Sequence, residues 1–102
     1  MKSNILITSA GRRVELVKAF QHELKSLFLD SKVFATDMQP LLSSACQAAD
    51  DCWGMPRVTD ADYIDILMTL CINNNIGMVV PTIDTELKIL TENRDKFQKS
   101  GI

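Results

Sequence analysis

The sequence predicts an α/β domain in which a parallel sheet of four to five strands carries helices on both faces, giving three layers. Two patterns indicate this class: short apolar runs of strand length alternate with segments of helical periodicity, and the connections between them are short. At 102 residues, of which 46% are apolar and 24% charged, the chain is long enough for one core and one domain. A two-lobed enzyme is therefore excluded for this stretch alone.

The first strand and the first helix have the clearest patterns. Residues 4–8 form a short apolar, β-branched run typical of a strand buried on both faces, and the run stops at residues 9–11. Apolar residues then recur every three or four positions over residues 12–29, with charged residues between them, which predicts an amphipathic helix. A second strand over residues 32–36 ends in Asp37.

The middle of the chain has weaker signals. Pro40 interrupts it, and Ser44 with Gln47 three residues later resembles a capping box at the start of a short helix. Residues 52–56 are either a brief third strand or an extended loop, because Gly54 lies within them and a proline ends them. Both interpretations stay open at this point.

The second half of the chain predicts a third helix, a strand and a last helix. Thr59 and Asp62 resemble an N-cap, and the helix that follows ends at three asparagines, residues 73–75. A strand follows over residues 77–81, and the last helix runs to about Gln98. The third helix is expected to pack deeply because it has two apolar stripes, one of Ile64, Leu67, Met68 and Cys71 and the other of Tyr63, Ile66 and Leu70.

Strands that alternate with helices imply right-handed parallel crossovers. The predicted order is therefore half of a doubly wound, Rossmann-like fold. Functional groups in such sheets collect at the carboxyl ends of the strands. Those ends are residues 8–13, 37–39 and 81–86.

Charge and composition exclude several classes of function. A net charge of −2 argues against a general nucleic-acid or anionic-membrane surface, and no apolar run approaches the length of a membrane span. Cys46, Cys52 and Cys71 lack metal-ligand spacing and are expected to be reduced core residues, which favours a cytoplasmic protein without a metal site. Residues 1–36 nevertheless carry six basic against three acidic side chains. The charge distribution is therefore compatible with a local positive site near the N-terminus.

The loop after the first strand is the first candidate binding site. Ser9, Gly11, Arg12 and Arg13 would bring together a hydroxyl, a helix N-terminus and two guanidinium groups, all of which favour a phosphate or carboxylate. The alternative is that Ser9 caps the helix, Gly11 supplies a turn and the arginines are solvated; the residues alone leave both open. A dinucleotide site is disfavoured because the G-x-G-x-x-G pattern is missing, and Asp37 follows Gly11 by 26 residues rather than about 20.

Two acids after the last strand form the second candidate site. Asp84 and Glu86 have the chemistry to hold an amine or a hydroxyl of a substrate, whereas the alternative is that they only favour the first turn of a helix. With a single histidine, His22, within a helix, no nucleophilic triad is predicted and no catalytic residue is assigned.

These strand-end motifs together resemble a known family. Residues 5–17 (ILITSAGRRVELV), 36–37 (TD) and 80–87 (VPTIDTEL) are similar to the N-terminal pre-ATP-grasp domain of ATP-grasp ligases, in particular the carbamoyl-phosphate-synthase-large-subunit-like proteins. The similarity covers essentially the whole chain, residues 1–102, and the combination of motifs is more specific than any one of them.

The resemblance implies a lobe that precedes two ATP-grasp lobes, which bind Mg-ATP, activate a carboxylate as an acyl phosphate and let an amine attack it. In that family the pre-ATP-grasp lobe forms one wall of the active site and helps hold the non-nucleotide substrate. The resemblance thus assigns substrate contacts to Ser9, Gly11, Arg12, Arg13, Asp37, Asp84 and Glu86.

The resemblance also implies that the ATP-grasp lobes are absent from this chain, which is expected to be inactive alone and to be a truncated or split product. ATP and magnesium then belong to the full-length protein. The implied partners are a C-terminal ATP-grasp domain, in cis or on a separate chain, a small-molecule carboxylate or amine, and in addition a homodimer. The alternative function is a stand-alone Rossmann-like module that binds a phosphorylated or carboxylated metabolite.

Overall fold

A computed structural model describes residues 4–27 and 30–102 of the chain. The described elements are strands β1 (Asn4–Thr8), β2 (Val33–Asp37), β3 (Asp51–Gly54) and β4 (Ile76–Pro81), helices α1 (Val14–Leu27), α2 (Ser44–Ala48), α3 (Tyr63–Asn73), α4 (Asp84–Glu92) and α5 (Arg94–Lys99), and a 3-10 turn over Pro40–Leu42. The predicted continuation of the first helix through residues 28 and 29 lies outside the described residues.

The four strands form one parallel sheet in the order β3-β2-β1-β4. Helices α1 and α2 pack against one face, and α3, α4 and α5 pack against the other. The predicted Rossmann-like, three-layer α/β fold is therefore confirmed, with four strands. The open question at residues 52–56 is also settled, because β3 pairs with β2 from Asp51 to Gly54.

Two apolar clusters hold the layers together, because alternate side chains of each strand point to opposite faces of the sheet. On the α1 face the buried residues are Ile5, Ile7, Ala10, Val17, Leu24, Val33, Ala35, Ala45 and Cys46. On the α3 face they are Leu6, Phe34, Met55, Tyr63, Ile64, Leu67, Met68, Cys71, Ile76 and Phe97.

Of the two predicted helix caps, the one at Ser44 is wrong, whereas Asp62 does stand at the N-cap position of α3. Helix α2 is capped by Ser43, whose hydroxyl accepts the backbone N–H of Cys46 at 3.1 Å, and not by Ser44. Ser43 has the extended backbone that a capping residue needs, whereas Ser44 is already helical. Asp62 precedes α3 with a helical backbone and makes no side-chain capping bond.

The two helices of the second half also differ from expectation. Ile66 on α3 is 43% exposed, so only one of the two predicted apolar stripes is fully packed. The predicted last helix is two helices, α4 and α5, which meet at Asn93. The side-chain amide of Asn93 donates to the carbonyl of Ile89 at 2.8 Å, and such local bonds compete with a continuous helix.

The remaining predictions about composition concern the cysteines and membranes. Cys46 and Cys71 are buried and Cys52 is half-buried, and none of the three forms a disulfide, as expected for reduced core cysteines. Across residues 4–27 and 30–102, none of the helices has the length and apolar character needed to cross a bilayer.

Candidate functional site at the carboxyl edge of the sheet

The candidate site lies where β1 and β4 run side by side. From β1 the chain crosses to β2 on one side, while β4 lies on the other side, so the strand order reverses between β1 and β4. Ligands of open α/β sheets bind in the crevice outside the carboxyl ends of the strands at such a switch point. We call the loop at residues 9–13 and the turn at residues 82–86 the two walls of the candidate site; hydrogen bonds from Thr82 to the carbonyls of Thr8 and Ser9 hold them side by side.

A buried carboxylate joins these two walls. Glu86 is only 1% exposed. Its Oε1 accepts the hydroxyl of Thr8 at 2.9 Å, and its Oε2 accepts the hydroxyls of Ser9 at 2.6 Å and Tyr63 at 2.8 Å. Three donors compensate the removal of the carboxylate from water, since an unpaired buried charge is strongly destabilising.

The phenol in this cluster stays a neutral donor. Burial of the ring, and after it the hydrogen bond to Glu86, raise the pKa of Tyr63 above its ordinary value. Ionisation of the phenol would place two negative charges next to each other in a site with little water. Tyr63 therefore fixes the start of α3 to the carboxyl edge of β1 and β4 through Glu86.

The loop after β1 has an unusual backbone conformation. Ser9 and Gly11 have positive φ values of 48° and 53°. The side chain of Ser9 is committed to Glu86, and a non-glycine residue in this region is uncommon unless its surroundings hold it there. The predicted alternative in which Ser9 caps α1 is therefore wrong in its side-chain contact, while the turn role of Gly11 is confirmed.

Neighbouring segments fix the loop from two further sides. The carboxylate of Asp37 accepts the backbone N–H of Gly11 at 2.9 Å and that of Gln39 at 3.0 Å. The carbonyl of Gly11 accepts the hydroxyl of Ser43 at 2.6 Å and the N–H of Ala45 at 3.1 Å. The loop at residues 9–13 is thus bound to β2 and α2 as well as to Glu86.

On the other wall, the hydroxyl of Thr82 lies 2.9 Å from the carbonyl of Thr8 and 2.7 Å from that of Ser9. A guanidinium N–H of Arg13 reaches the carbonyl of Thr82 at 3.4 Å. The side chain of Arg12 is exposed and, among the described residues, makes no hydrogen bond or ion pair. Both arginines are exposed on the loop, so an anion from solvent can reach their guanidinium groups.

The comparison with known families agrees with this geometry. The family model described as PylC-like, N-terminal domain, matches residues 5–102. The chain belongs to this family. PylC-like N-terminal domains are the pre-ATP-grasp domains of ATP-grasp-type ligases, so the expected pre-ATP-grasp domain is confirmed, and this membership implies a C-terminal ATP-grasp domain as its partner. A search of curated proteins finds no match.

The structure of this PylC-like domain brings most of the predicted site residues to one edge. Ser9, Gly11 and Arg13 lie on the same loop, and Asp37 binds it through the N–H of Gly11. Glu86 binds the loop through the hydroxyl of Ser9. Arg12 is on the loop but extends to solvent, and Asp84 is exposed in the first turn of α4 without a capping bond. Substrate contact by these residues stays a prediction.

Three participating residues were not predicted: Thr8, Tyr63 and Thr82. Thr8 was the one polar residue at the end of an apolar strand, and it is completely buried. The spacing of Tyr63 predicts an apolar stripe, and its ring does lie in the core. The hydroxyl that donates to Glu86 gives no periodic signal in the sequence. The signal in the sequence is a threonine that ends an apolar strand directly before the candidate loop.

The described residues hold no cluster of side chains that could bind a metal ion by themselves. Residues 4–27 and 30–102 contain no group of three or more His, Cys, Asp or Glu side chains that could hold a metal ion. Both carboxylate oxygens of Glu86 and of Asp37 already accept hydrogen bonds. Burial raises the pKa of the Cys46 thiol to about 11, so this group stays protonated and is a poor metal ligand near neutral pH.

Proposed function

We propose that this chain is the substrate-side lobe of an ATP-dependent carboxylate–amine ligase and that it has no ligase activity without the ATP-grasp lobes. The supporting observation is the loop at residues 9–13, which is fixed from three sides at the switch point of the sheet and carries two accessible guanidinium groups. Membership of a pre-ATP-grasp family supports the reaction class. ATP and magnesium belong to the ATP-grasp lobes in this proposal.

The geometry supports a division of roles among the site residues. Arg12 and Arg13 attract the anionic group of the non-nucleotide substrate, since guanidinium groups bind carboxylate and phosphate in a bidentate manner. Ser9, Gly11 and Asp37 shape the loop that presents them. Asp84, exposed on the opposite wall, is available to a substrate amine.

Glu86 holds a different place in this proposal. Its oxygens accept three hydroxyls and are shielded from solvent, so it positions Ser9 and the loop rather than touching the substrate. Among ATP-grasp proteins, the motifs at residues 5–17 and 80–87 support a likeness to the carbamoyl-phosphate synthase large subunit, which we retain as part of the proposal.

The proposal is tested with the protein that carries the ATP-grasp lobes, supplied with Mg-ATP and a panel of amino acids while ADP and inorganic phosphate are measured. We expect ADP formation that depends on a carboxylate and an amine, and a reduction of about tenfold or more at limiting substrate in Arg12→Ala. Lys25→Ala, which removes an exposed charge at the other end of α1, is the matched control and should behave as the wild type.

Two outcomes would contradict the ligase proposal. One is ADP formation that is unchanged by Arg12→Ala at both limiting and saturating substrate. The other is the absence of any carboxylate-dependent ADP formation, combined with binding of a phosphorylated or carboxylated metabolite to the 102-residue chain by itself. The second result would favour a stand-alone binding module.

A further inference from the structure

The edge of the sheet at β4 has unused backbone groups. The N–H of Ile5 donates to the carbonyl of Lys32, so the backbone groups of Ile5 face β2 and those of Leu6 face β4. Leu6 lies opposite Val79 in the register, and a parallel ladder then joins Leu6 to the residues on either side of Val79. The N–H and C=O of Val79 are therefore directed away from β1, towards the open edge.

An apolar groove lies along this edge, between β4 and helices α4 and α5. It has a volume of about 440 Å³. Leu87 is 54% exposed at its surface. Its apolar lining is Met78, Val79, Leu87, Leu90, Phe97 and Ile102.

The two edges of the sheet differ in how they are protected. At the other edge β3 has four residues and begins with an exposed aspartate, Asp51, features that natural edge strands use against unwanted pairing. Strand β4 has six residues, and its sequence IGMVVP carries no charge. Pro81 blocks pairing only at its last position. An apolar edge of this length is normally covered.

The handedness of the fold indicates what covers it. Helices α1 and α2 lie on one face and carry the chain from β1 through β2 to β3. Helix α3 lies on the opposite face and carries the chain in the opposite direction, from β3 to β4, as right-handed crossovers require. Helices α4 and α5 lie on the same face as α3. A right-handed connection through them therefore leads away from β1, onto the open edge of β4.

We propose that the polypeptide carrying the ATP-grasp partner supplies a fifth parallel strand, which pairs with Val79 and fills this groove with apolar side chains. The inference rests on the ATP-grasp partner that the proposed function also uses, but not on the ligase reaction. A second copy of this chain is the competing occupant. A twofold axis would pair β4 of one copy with β4 of the other in an antiparallel manner. The right-handed connection through α4 and α5 predicts a parallel strand at this edge instead.

The test measures amide hydrogen exchange of β4 residue by residue by NMR, in the 102-residue chain and in the protein or complex that contains the ATP-grasp lobes. Without the lobes, the Val79 amide should exchange quickly, while the Val80 amide, bonded to β1, should be protected. With the lobes present, Val79 exchange should slow by about a hundredfold or more, because its N–H is then bonded inside a sheet.

A pair of variants adds a second measurement. Leu87→Lys places a charge at an exposed position on the rim of the groove, so the domain itself should fold. In the presence of the ATP-grasp lobes, the protection of the Val79 amide from exchange should fall by about tenfold or more. Leu27→Lys changes an equally apolar residue that is 72% exposed at the end of α1, outside the groove, and should have no effect.

Three results would overturn the inference: slow Val79 exchange in the dilute chain alone, protection that rises with the concentration of the chain alone, and no protection when the ATP-grasp lobes are present. The second of these would identify the second copy as the occupant. Arg12→Ala should leave Val79 protection unchanged. Loss of ligase activity in that variant with fast Val79 exchange throughout would contradict the fifth strand and retain the proposed function.

Discussion

Replacing Glu86 by leucine removes the common acceptor of the Thr8, Ser9 and Tyr63 hydroxyls from a site that is almost completely buried. A net hydrogen bond to a charged group contributes about 1.5–3 kcal/mol, and the contributions of one network do not add. Each buried hydroxyl left without its acceptor costs about 1–3 kcal/mol, so the loss for three hydroxyls of one network is several kcal/mol. We therefore expect Glu86→Leu to lower the free energy of unfolding by about 3–5 kcal/mol.

Glu86→Gln separates charge from shape. Glutamine keeps one carbonyl acceptor, and its amide group requires one of the hydroxyls to turn round and accept. The expected loss is smaller, about 1–3 kcal/mol. Because domains of this kind have a total stability of about 5–15 kcal/mol, the glutamine variant is expected to remain folded, whereas at the lower end of that range the leucine variant is close to unfolding.

Urea unfolding at 25 °C measures these values. The fluorescence of Trp53 reports the transition, because the indole is half-buried and its ring centre lies 4.9 Å from that of Phe34. Asp84→Asn is the matched control on the same helix turn, and as an exposed position it should change stability by less than about 0.5 kcal/mol. A Glu86→Leu variant within about 1 kcal/mol of the wild type would refute the account of the buried network.

Three smaller predictions concern the groups around this network. Ser43→Ala removes the cap on the Cys46 N–H and should cost about 1–2 kcal/mol in urea unfolding; a loss below about 0.3 kcal/mol would contradict the capping role. Asp37→Asn keeps one acceptor of two, so NMR should show faster exchange of the Gly11 amide, and an unchanged rate would contradict its anchoring role. Because the pKa of Tyr63 is raised in the folded state, the free energy of unfolding should keep its value below about pH 10 and fall above it by about 1.4 kcal/mol per pH unit. Tyr63→Phe should reduce this slope, and identical pH profiles of the variant and the wild type would contradict the role of Tyr63.

Local patterns were sufficient to predict most of the fold. The apolar run before Ser9 and the helical periodicity after Gly11 are strong because each residue is buried on a repeating face, and these signals placed β1, α1 and β2 to within two residues wherever the structure describes them. The break at Asn93 was missed because an asparagine within a helical pattern does not by itself terminate a helix. The side-chain bond to Ile89 that accompanies this break is visible only in three dimensions.

The position of the candidate site could be predicted from the sequence, but its hydrogen-bond network could not. Strand ends converge at one edge in every parallel sheet, so Arg13 and Glu86 could be assigned to the same region from the sequence. The bonds to Glu86 from Thr8 and Tyr63 span 78 and 23 residues, and no spacing rule encodes such pairs. The predicted substrate contact of Glu86 stays untested; in the structure its buried carboxylate accepts the hydroxyls of Thr8, Ser9 and Tyr63, which the sequence pattern does not reveal.

The KM values of the ATP-grasp protein test the central claim most directly. If this lobe is the substrate-side wall, Arg12→Ala should raise the KM for the non-nucleotide carboxylate or amine by about tenfold or more, because a charge-assisted contact is lost, and leave the KM for ATP unchanged. Lys25→Ala should change neither value. A rise in the KM for ATP alone, or no change in either KM, would contradict the claim.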